Sequence, residues 1–516
     1  MEIVANKPLW RPHDLVGCRY RRRQKTSHPD WEATAAAKAR AQRLDYARAD
    51  VLALLPTRPQ IADNKYFTRI DLVADEETRW FSTLEALASQ ATLITGAYLT
   101  TVVAGREFGV EVDALVRHGD AYMPLIVSNH RVARKAHNKL VKTIDTRRIG
   151  LGLPHTQAYK LKPHSTDSYQ LALAARALDD LGLDIARGII IGQNRTLGFI
   201  VNTELFQQGL DHALAQPIPQ SAHRVKECGG CRFWRLCHTE LTHRDDISLV
   251  FSGDKGRRFK EAGITTVTGL INAQPTSVDG QIAQCWQRGE ALMKKVPVTS
   301  APRFDVEIDI DVEAYLDQGA YLWGAFDGDE YRPFVTWEDL GGVAEAKNFA
   351  HFWQWLQGRR EHAHSQGLSV GVFCYSQHGE NHWLRSSAAR FYPAYHKEIP
   401  GLPSPAEVEA FIDSHEWIDI FALIRAQFEG TAGLGLKVVA PITGYHWQVP
   451  DLDGEGSVNL YLEAIGVAAL APASDTAKAA LLSYNGDDCR ATAAVREFLH
   501  RGAPSIPGLR LGELES

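Results

Sequence analysis

The apolar positions along the chain switch repeatedly between a spacing near 3.6 residues and strict alternation, the mark of mixed helix and strand. Residues 33–55, within EATAAAKARAQRLDYARADVLALL, are helix formers almost throughout and predict a helix. STLEALASQATLITGAYLTTV predicts a helix and then a strand. EFGVEVDALVRHGDAYMPLIVSNHRV holds two β-rich runs around Gly119-Asp120 and predicts a hairpin. SYQLALAARALDDLGL predicts an amphipathic helix, and GIIIGQNRTLGFIVN a strand pair. Further on, RFDVEIDIDVEAYLDQGAYLWGAF predicts strand, turn and strand. GVFCYSQHGENHWLRS predicts a buried strand and a loop that opens a helix with Glu380 at its start. EWIDIFALIRAQF repeats the strand–helix step with Asp419, and SYNGDDCRATAAVREFL predicts a helix.

These elements imply an α/β multidomain chain in three blocks, 1–238, 243–297 and 300–505, the last set off by the linker KKVPVTSAPR. The Pro/Gly-rich tail GAPSIPGLRLGELES predicts a loose end. The middle block contains DDISLVFSGDKGRRFKEAGITTVTGLINA, which resembles a helix–hairpin–helix unit, with Gly253-Asp254-Lys255-Gly256 in place of the usual Gly-x-Gly hairpin. Such a unit offers backbone N–H groups and lysines to phosphates without reading bases; a plain helical spacer is the alternative.

Composition changes this picture little. Apolar residues make up 45% and charged residues 23%, with a net charge of -6, so no global basic field advertises nucleic acid. Local basic runs do exist: RYRRRQK after Cys18, residues 131–148, and KGRRFK at 255–260. Together they tilt toward phosphate contacts. MEIVANKPLWRPHDL has no signal-peptide pattern, and no window approaches the roughly 18 apolar residues of a membrane span, so a cytoplasmic protein without a membrane partner is expected.

Among seven cysteines, CGGCRFWRLC groups Cys228, Cys231 and Cys237 as C-x2-C-x5-C, and Cys18 stands alone far upstream. In a reducing compartment such thiols bind metal rather than pair. Four thiolates complete an iron–sulfur or a zinc site, and a bond from Cys18 to the cluster would clasp a whole domain. Cys285, Cys374 and Cys489 are expected far from it.

In the third block, Asp305 and Glu307 lie two apart on a strand, so both carboxylates share a face. Two acids on an apolar strand repel unless a cation sits between them, the arrangement a metal-dependent phosphodiesterase needs. Asp309 continues the same face, as an exposed acidic edge strand would also do. Tyr484 and Asp488 lie four apart on one helix face.

One cysteine before a mixed core and three after it resembles the iron–sulfur RecB-family nucleases, the group of AddB-type subunits and CRISPR adaptation nucleases. That resemblance implies a RecB-like PD-(D/E)xK fold for the first block, with a 4Fe–4S clasp or zinc as the alternative. It casts Asp113 in GVEVDALVR as the family's Mg2+-binding Asp and Gln170 as the glutamine beside the site. The family's acid-x-Lys pair is missing. Asn129 or Ser128 stands for the acid and Arg131 or His130 for the lysine, which implies a degenerate, DNA-binding domain.

The third block resembles the DnaQ-like 3′–5′ exonucleases of the RNase H-like fold. The match runs through D-x-E, the acid after the second motif, GLGLKVVAPITGYHW and Y-x3-D. It implies that Asp305, Glu307, Glu380 and Asp488 hold two Mg2+ or Mn2+ ions and that Tyr484 orients the attacking water. Glu380 departs from the family's usual Asp, and the Tyr spacing selects Asp488 over Asp487. Together the blocks resemble RecB-family nucleases with a C-terminal RNase H-like domain. That implies a nuclease on DNA ends or single strands, with a separate helicase as partner because no GKT/GKS P-loop is present. The alternatives are an RNA exonuclease and a non-catalytic nucleic-acid-binding Fe–S protein.

Overall fold

The computed structural model describes residues 9–57, 66–449, 452, 454–466 and 472–509. The chain divides into two compact units, 1–243 and 244–516.

The first unit is built on an eight-stranded sheet. Its spatial order is Arg69–Asp71, Leu93–Thr95, Ala114–His118, Ala121–Val127, Arg187–Ile191, Leu197–Asn202, Ala133–Asp145 and His155–Leu161. Alternate residues of the central strands feed two cores. Ile94, Leu115, Ile126 and Ile190 face the helix Ser165–Asp179, which contributes Leu171, Ala174 and Leu178. Leu93, Val116, Leu125, Ile189 and Ile191 face the opposite way, against Ala47 and Val51 of the helix Ala35–Leu54. A sheet covered on both faces needs the unbroken apolar run seen in GIII. The helix Ala35–Leu54 starts where Thr34 Oγ1 accepts from the Ala37 N–H at 3.2 Å. The hairpin expected around Gly119-Asp120 is present, with Ala114–His118 antiparallel to Ala121–Val127.

The second unit begins with three short helices, Gly253–Glu261, Val267–Ala273 and Val278–Gln287, around Ile247, Phe251, Leu270 and Ile282. The following strand, Leu292–Lys294, pairs with Phe428–Gly430. The tail is tied down as far as it is described. Ala503 is fully buried, and the Leu509 N–H donates to the Lys294 carbonyl at 2.7 Å, against the expectation of a loose end. Residues 510–516 lie outside the described residues.

A five-stranded sheet forms the body of this unit, in the order Tyr331–Val335, Gly319–Phe326, Val306–Tyr315, Val370–Cys374, Trp417–Asp419. Among the first three strands each runs antiparallel to its neighbour, and the last two run parallel to Val306–Tyr315. The long helix Asp475–His500, N-capped by Ser474, lies along Val306–Tyr315 and holds its side chains. Among the described residues no helix is long and apolar enough to cross a membrane.

Candidate active site and metal centre

The strand Val306–Tyr315 and its approach carry acids at every second position, Asp305, Glu307, Asp309, Asp311 and Glu313, so all five point to one face. The helix Asp475–His500 sorts them. Arg496 of that helix pairs with Glu307 and donates from Nη2 to Asp309 Oδ2 at 2.8 Å. Two turns earlier on the same helix stands Asp488. A helix rises about 12 Å over those eight residues and a strand about 13 Å over four, so Asp488 meets the strand four positions beyond the Arg496 pair. There the carboxylates of Asp311, Glu313 and Asp488 have ligand oxygens within 4.8 Å of one another.

Each of these acids is held by a neutral donor. Asn485 Nδ2 donates to Asp311 Oδ2 at 2.7 Å and in turn accepts from the Tyr331 hydroxyl. Gly324 makes room for this, because a Cβ there would meet Asn485 Oδ1 at 1.8 Å. Ser457 Oγ donates to Glu313 Oε2 at 3.2 Å, and Trp447 Nε1 to Asp488 Oδ1 at 2.7 Å. Tyr484 is hydrogen-bonded to Asp488. A register shift at Glu313/Ala314 interrupts the ladder where the acids cluster.

Glu380, in the first turn of Gln377–Tyr395, lies within electrostatic reach of Asp311 and Glu313. The residue before that helix, Ser376, takes a left-handed φ of 78°, and its N–H donates to Asp419 Oδ1 at 3.0 Å. Such strain in a non-glycine residue persists only where its surroundings impose it. Glu380 is buried, and its Oε2 has no hydrogen-bond partner among the described residues.

The electrostatics follow from this crowding. Burial, then the charges of Asp488, Glu313 and Glu380, raises the Asp311 carboxyl well above its ordinary range. Burial and Asp488 push Glu313 up to about 8, and burial pushes Glu380 up to about 8. Burial takes Asp488 to about 6 against the opposing hydrogen bond from Trp447 and the charge of Lys437. The Lys437 ammonium lies 4.0 Å from the Trp447 ring centre and 4.6 Å from that of Tyr484. Carboxylates that repel this strongly, with an orphaned oxygen among them, suit a divalent cation by donor type and charge.

Residues 310–500 match the RNase_H superfamily. The second unit therefore carries an RNase H-like domain, a nuclease-type fold, and its acidic cluster fits divalent metal. Compared with curated proteins and with solved structures, the chain matches none.

Of the residues picked from sequence, Asp488, Tyr484 and Glu380 come together here. Asp305 and Glu307 do not. Asp305 is exposed and accepts from the Ser369 N–H and Oγ, and Glu307 belongs to Arg496. The D-x-E pair that meets Asp488 is Asp311 and Glu313, six residues further on. Sequence reasoning also passed over Asn485, Trp447, Ser457 and Lys437. The available signal was the two-residue acid repeat read together with Arg496, eight residues after Asp488.

In the first unit, Asp113 sits at the mouth of Ala114–His118 rather than within it. Its Oδ2 accepts from the Val127 N–H at 2.6 Å, and its Oδ1 lies 2.8 Å from Arg48 Nε. Gln170 Nε2 donates to the Glu111 carbonyl at 2.6 Å, two residues from Asp113. Ser128 Oγ donates to Asp167 and Asn129 Oδ1 accepts from Arg195. Cys18, Cys228, Cys231 and Cys237 lie within electrostatic reach of one another. Burial and then Cys18, Cys231 and Cys228 push the Cys237 thiol up to about 12. No three of these sulfurs lie within 4.8 Å of one another.

Proposed function

We propose that this protein is a metal-dependent nuclease that hydrolyses phosphodiester bonds of DNA ends or single strands at the acidic cluster of its second unit. The observation that carries this reading is the convergence of Asp311, Glu313 and Asp488, with the orphaned Glu380 beside them, in an RNase H-like domain. Those four carboxylates would hold two Mg2+ or Mn2+ ions. Bound there, the ions would supply positive charge for the non-bridging and leaving oxygens of the phosphodiester. Tyr484, fixed by its bond to Asp488, is assigned the orientation of the attacking water. Asn485, Ser457 and Trp447 hold the carboxylates in place, which a site of this kind requires of its surroundings.

The RecB-like first unit is assigned a binding role. Arg48 occupies the Asp113 carboxylate and Asp167 takes Ser128, which supports a centre without hydrolytic activity. The four thiols are assigned a 4Fe–4S clasp. What supports a shared centre is the C-x2-C-x5-C spacing with Cys18 in electrostatic reach of it, and tetrahedral zinc is the alternative occupant. A separate helicase and a cytoplasmic location belong to the same reading.

The test is degradation of end-labelled single-stranded DNA and RNA by the purified chain with Mn2+ and with chelator. Asp311→Asn should lose activity about a thousandfold, the equivalent of several kcal/mol at about 1.4 kcal/mol per decade. Asp305→Asn should stay near wild type. Loss in Asp305→Asn with Asp311→Asn near wild type would return the pair to the first two acids, and a wild type that cleaves neither polymer would end the nuclease reading.

A further inference from the structure

The first unit carries a basic surface that the acidic cluster does not use. Residues 131–164 hold nine lysines and arginines against one acid, Asp145. Most of them lie on the ribbon formed by Ala133–Asp145 and His155–Leu161 at the end of the eight-stranded sheet. Only the root of the longer strand is held by the rest of the sheet, through Thr143, Ile144 and Asp145 paired with Leu197–Asn202.

The register divides the ribbon into two unlike faces. Ala133 opposite Leu161, Tyr159 and Val141 share one face, and all four pack on the larger core of the unit. Tyr159 meets Phe199 edge to face. The other face carries Arg134 directly opposite Lys160, Leu140 opposite Ala158, and Lys142 opposite Thr156. All six are exposed, Leu140 at 71%. Cross-strand neighbours of like charge destabilise a ribbon. Among the described residues Arg134, Lys142 and Lys160 have no ion-pair partner. A four-residue widening between Lys135 and Leu140 adds Lys139 at the edge.

We infer that this face of the ribbon is a docking surface for the sugar–phosphate backbone of a nucleic acid strand, bound without regard to sequence. Phosphates would relieve the Arg134–Lys160 repulsion, and Leu140 between the cations offers an apolar contact to a base. The ribbon's flexible, well-hydrated lysines suit point-charge contact with phosphate rather than base readout. The choice of polymer rests on the nuclease reading; the charge and geometry of the face do not.

The experiment is fluorescence anisotropy of a labelled single-stranded oligonucleotide with the full chain in chelator, where hydrolysis plays no part, across a NaCl series. Wild type should bind with a steep salt dependence. The combined Arg134→Glu, Lys142→Glu, Lys160→Glu variant should bind at least tenfold more weakly at low salt. Its slope of log K against log salt should be shallower by about 2, at about 0.7 per lost phosphate contact. The matching Gln variant, which removes charge without reversing it, should fall between. Unchanged affinity and slope in both variants would overturn the inference, as would ribbon-dependent binding to phosphatidylserine vesicles without binding to the oligonucleotide. If binding depends on the ribbon while no preparation cleaves nucleic acid with Mn2+, the nuclease reading fails and the docking surface stands.

Discussion

Arg496 and Asp309 form a buried pair, Nη2 to Oδ2 at 2.8 Å, that decides which acids of an evenly acidic strand are left for chemistry. Asp309 is wholly buried and Burial, against the pull of Arg496, still takes it up to about 6. Replacing the arginine leaves Asp309 and Glu307 without their cation. Arg496→Met should therefore destabilise the protein by about 3–5 kcal/mol, the usual cost of breaking one side of a buried pair. Urea unfolding monitored by tryptophan fluorescence measures it. A loss below about 1 kcal/mol would mean that the pair does not organise the strand.

That pair also marks where the sequence stops being legible. Strands and helices could be read because their periods are distinct, and the D-x-E, Glu380 and Y-x3-D signals placed an acidic site on this unit. Which D-x-E could not be read, since Asp305, Glu307, Asp309, Asp311 and Glu313 are equivalent by period. The difference between them is a partner 187 residues away. The same holds for the tail, whose Pro/Gly content says nothing of Leu509 bonding to Lys294. Asp113 and Gln170 were legible as neighbours, but its ion pair with Arg48 depends on how an earlier helix packs.

Lys437 bears on the acid limb of activity. Its charge favours the ionised forms of Asp488 and Glu313. Lys437→Met removes that charge while keeping much of the stem over Trp447 and Tyr484. The acid limb of the kcat/KM profile should then move to higher pH by roughly one unit. An unshifted limb with a uniformly lower rate would assign Lys437 to substrate contact instead.

The cysteines make a separable prediction. Protein purified without oxygen should be brown and carry about four irons per chain, as the proposed 4Fe–4S cluster requires. Cys18→Ser should lose the colour and lower the melting temperature, while Asp311→Asn should keep both. Cys285→Ser should also keep the colour, since Cys285 sits in the small helical core of the other unit. Stoichiometric zinc in place of iron would retain the clasp and discard the cluster.

The last prediction couples protons to metal at the acidic cluster. Glu313 and Glu380 are raised to about 8 and Asp488 to about 6, above the ordinary carboxylate range near 4. A group with a raised folded-state pKa binds its proton more tightly folded than unfolded. Its stabilising contribution is thus full below about pH 4 and is lost as pH rises through 6 to 8. Metal-free protein should lose stability across that window from this source. A divalent cation acts in the opposite sense, because it needs the ionised carboxylates and displaces their protons. The rise in melting temperature on adding Mn2+ to chelator-treated protein should therefore be small at pH 5.5 and grow steadily to pH 8.5. Asp488→Asn should flatten that growth by removing one ligand and one repelling charge together. A metal effect of constant size across the series, or one untouched by Asp488→Asn, would place the cation somewhere other than Asp311, Glu313 and Asp488.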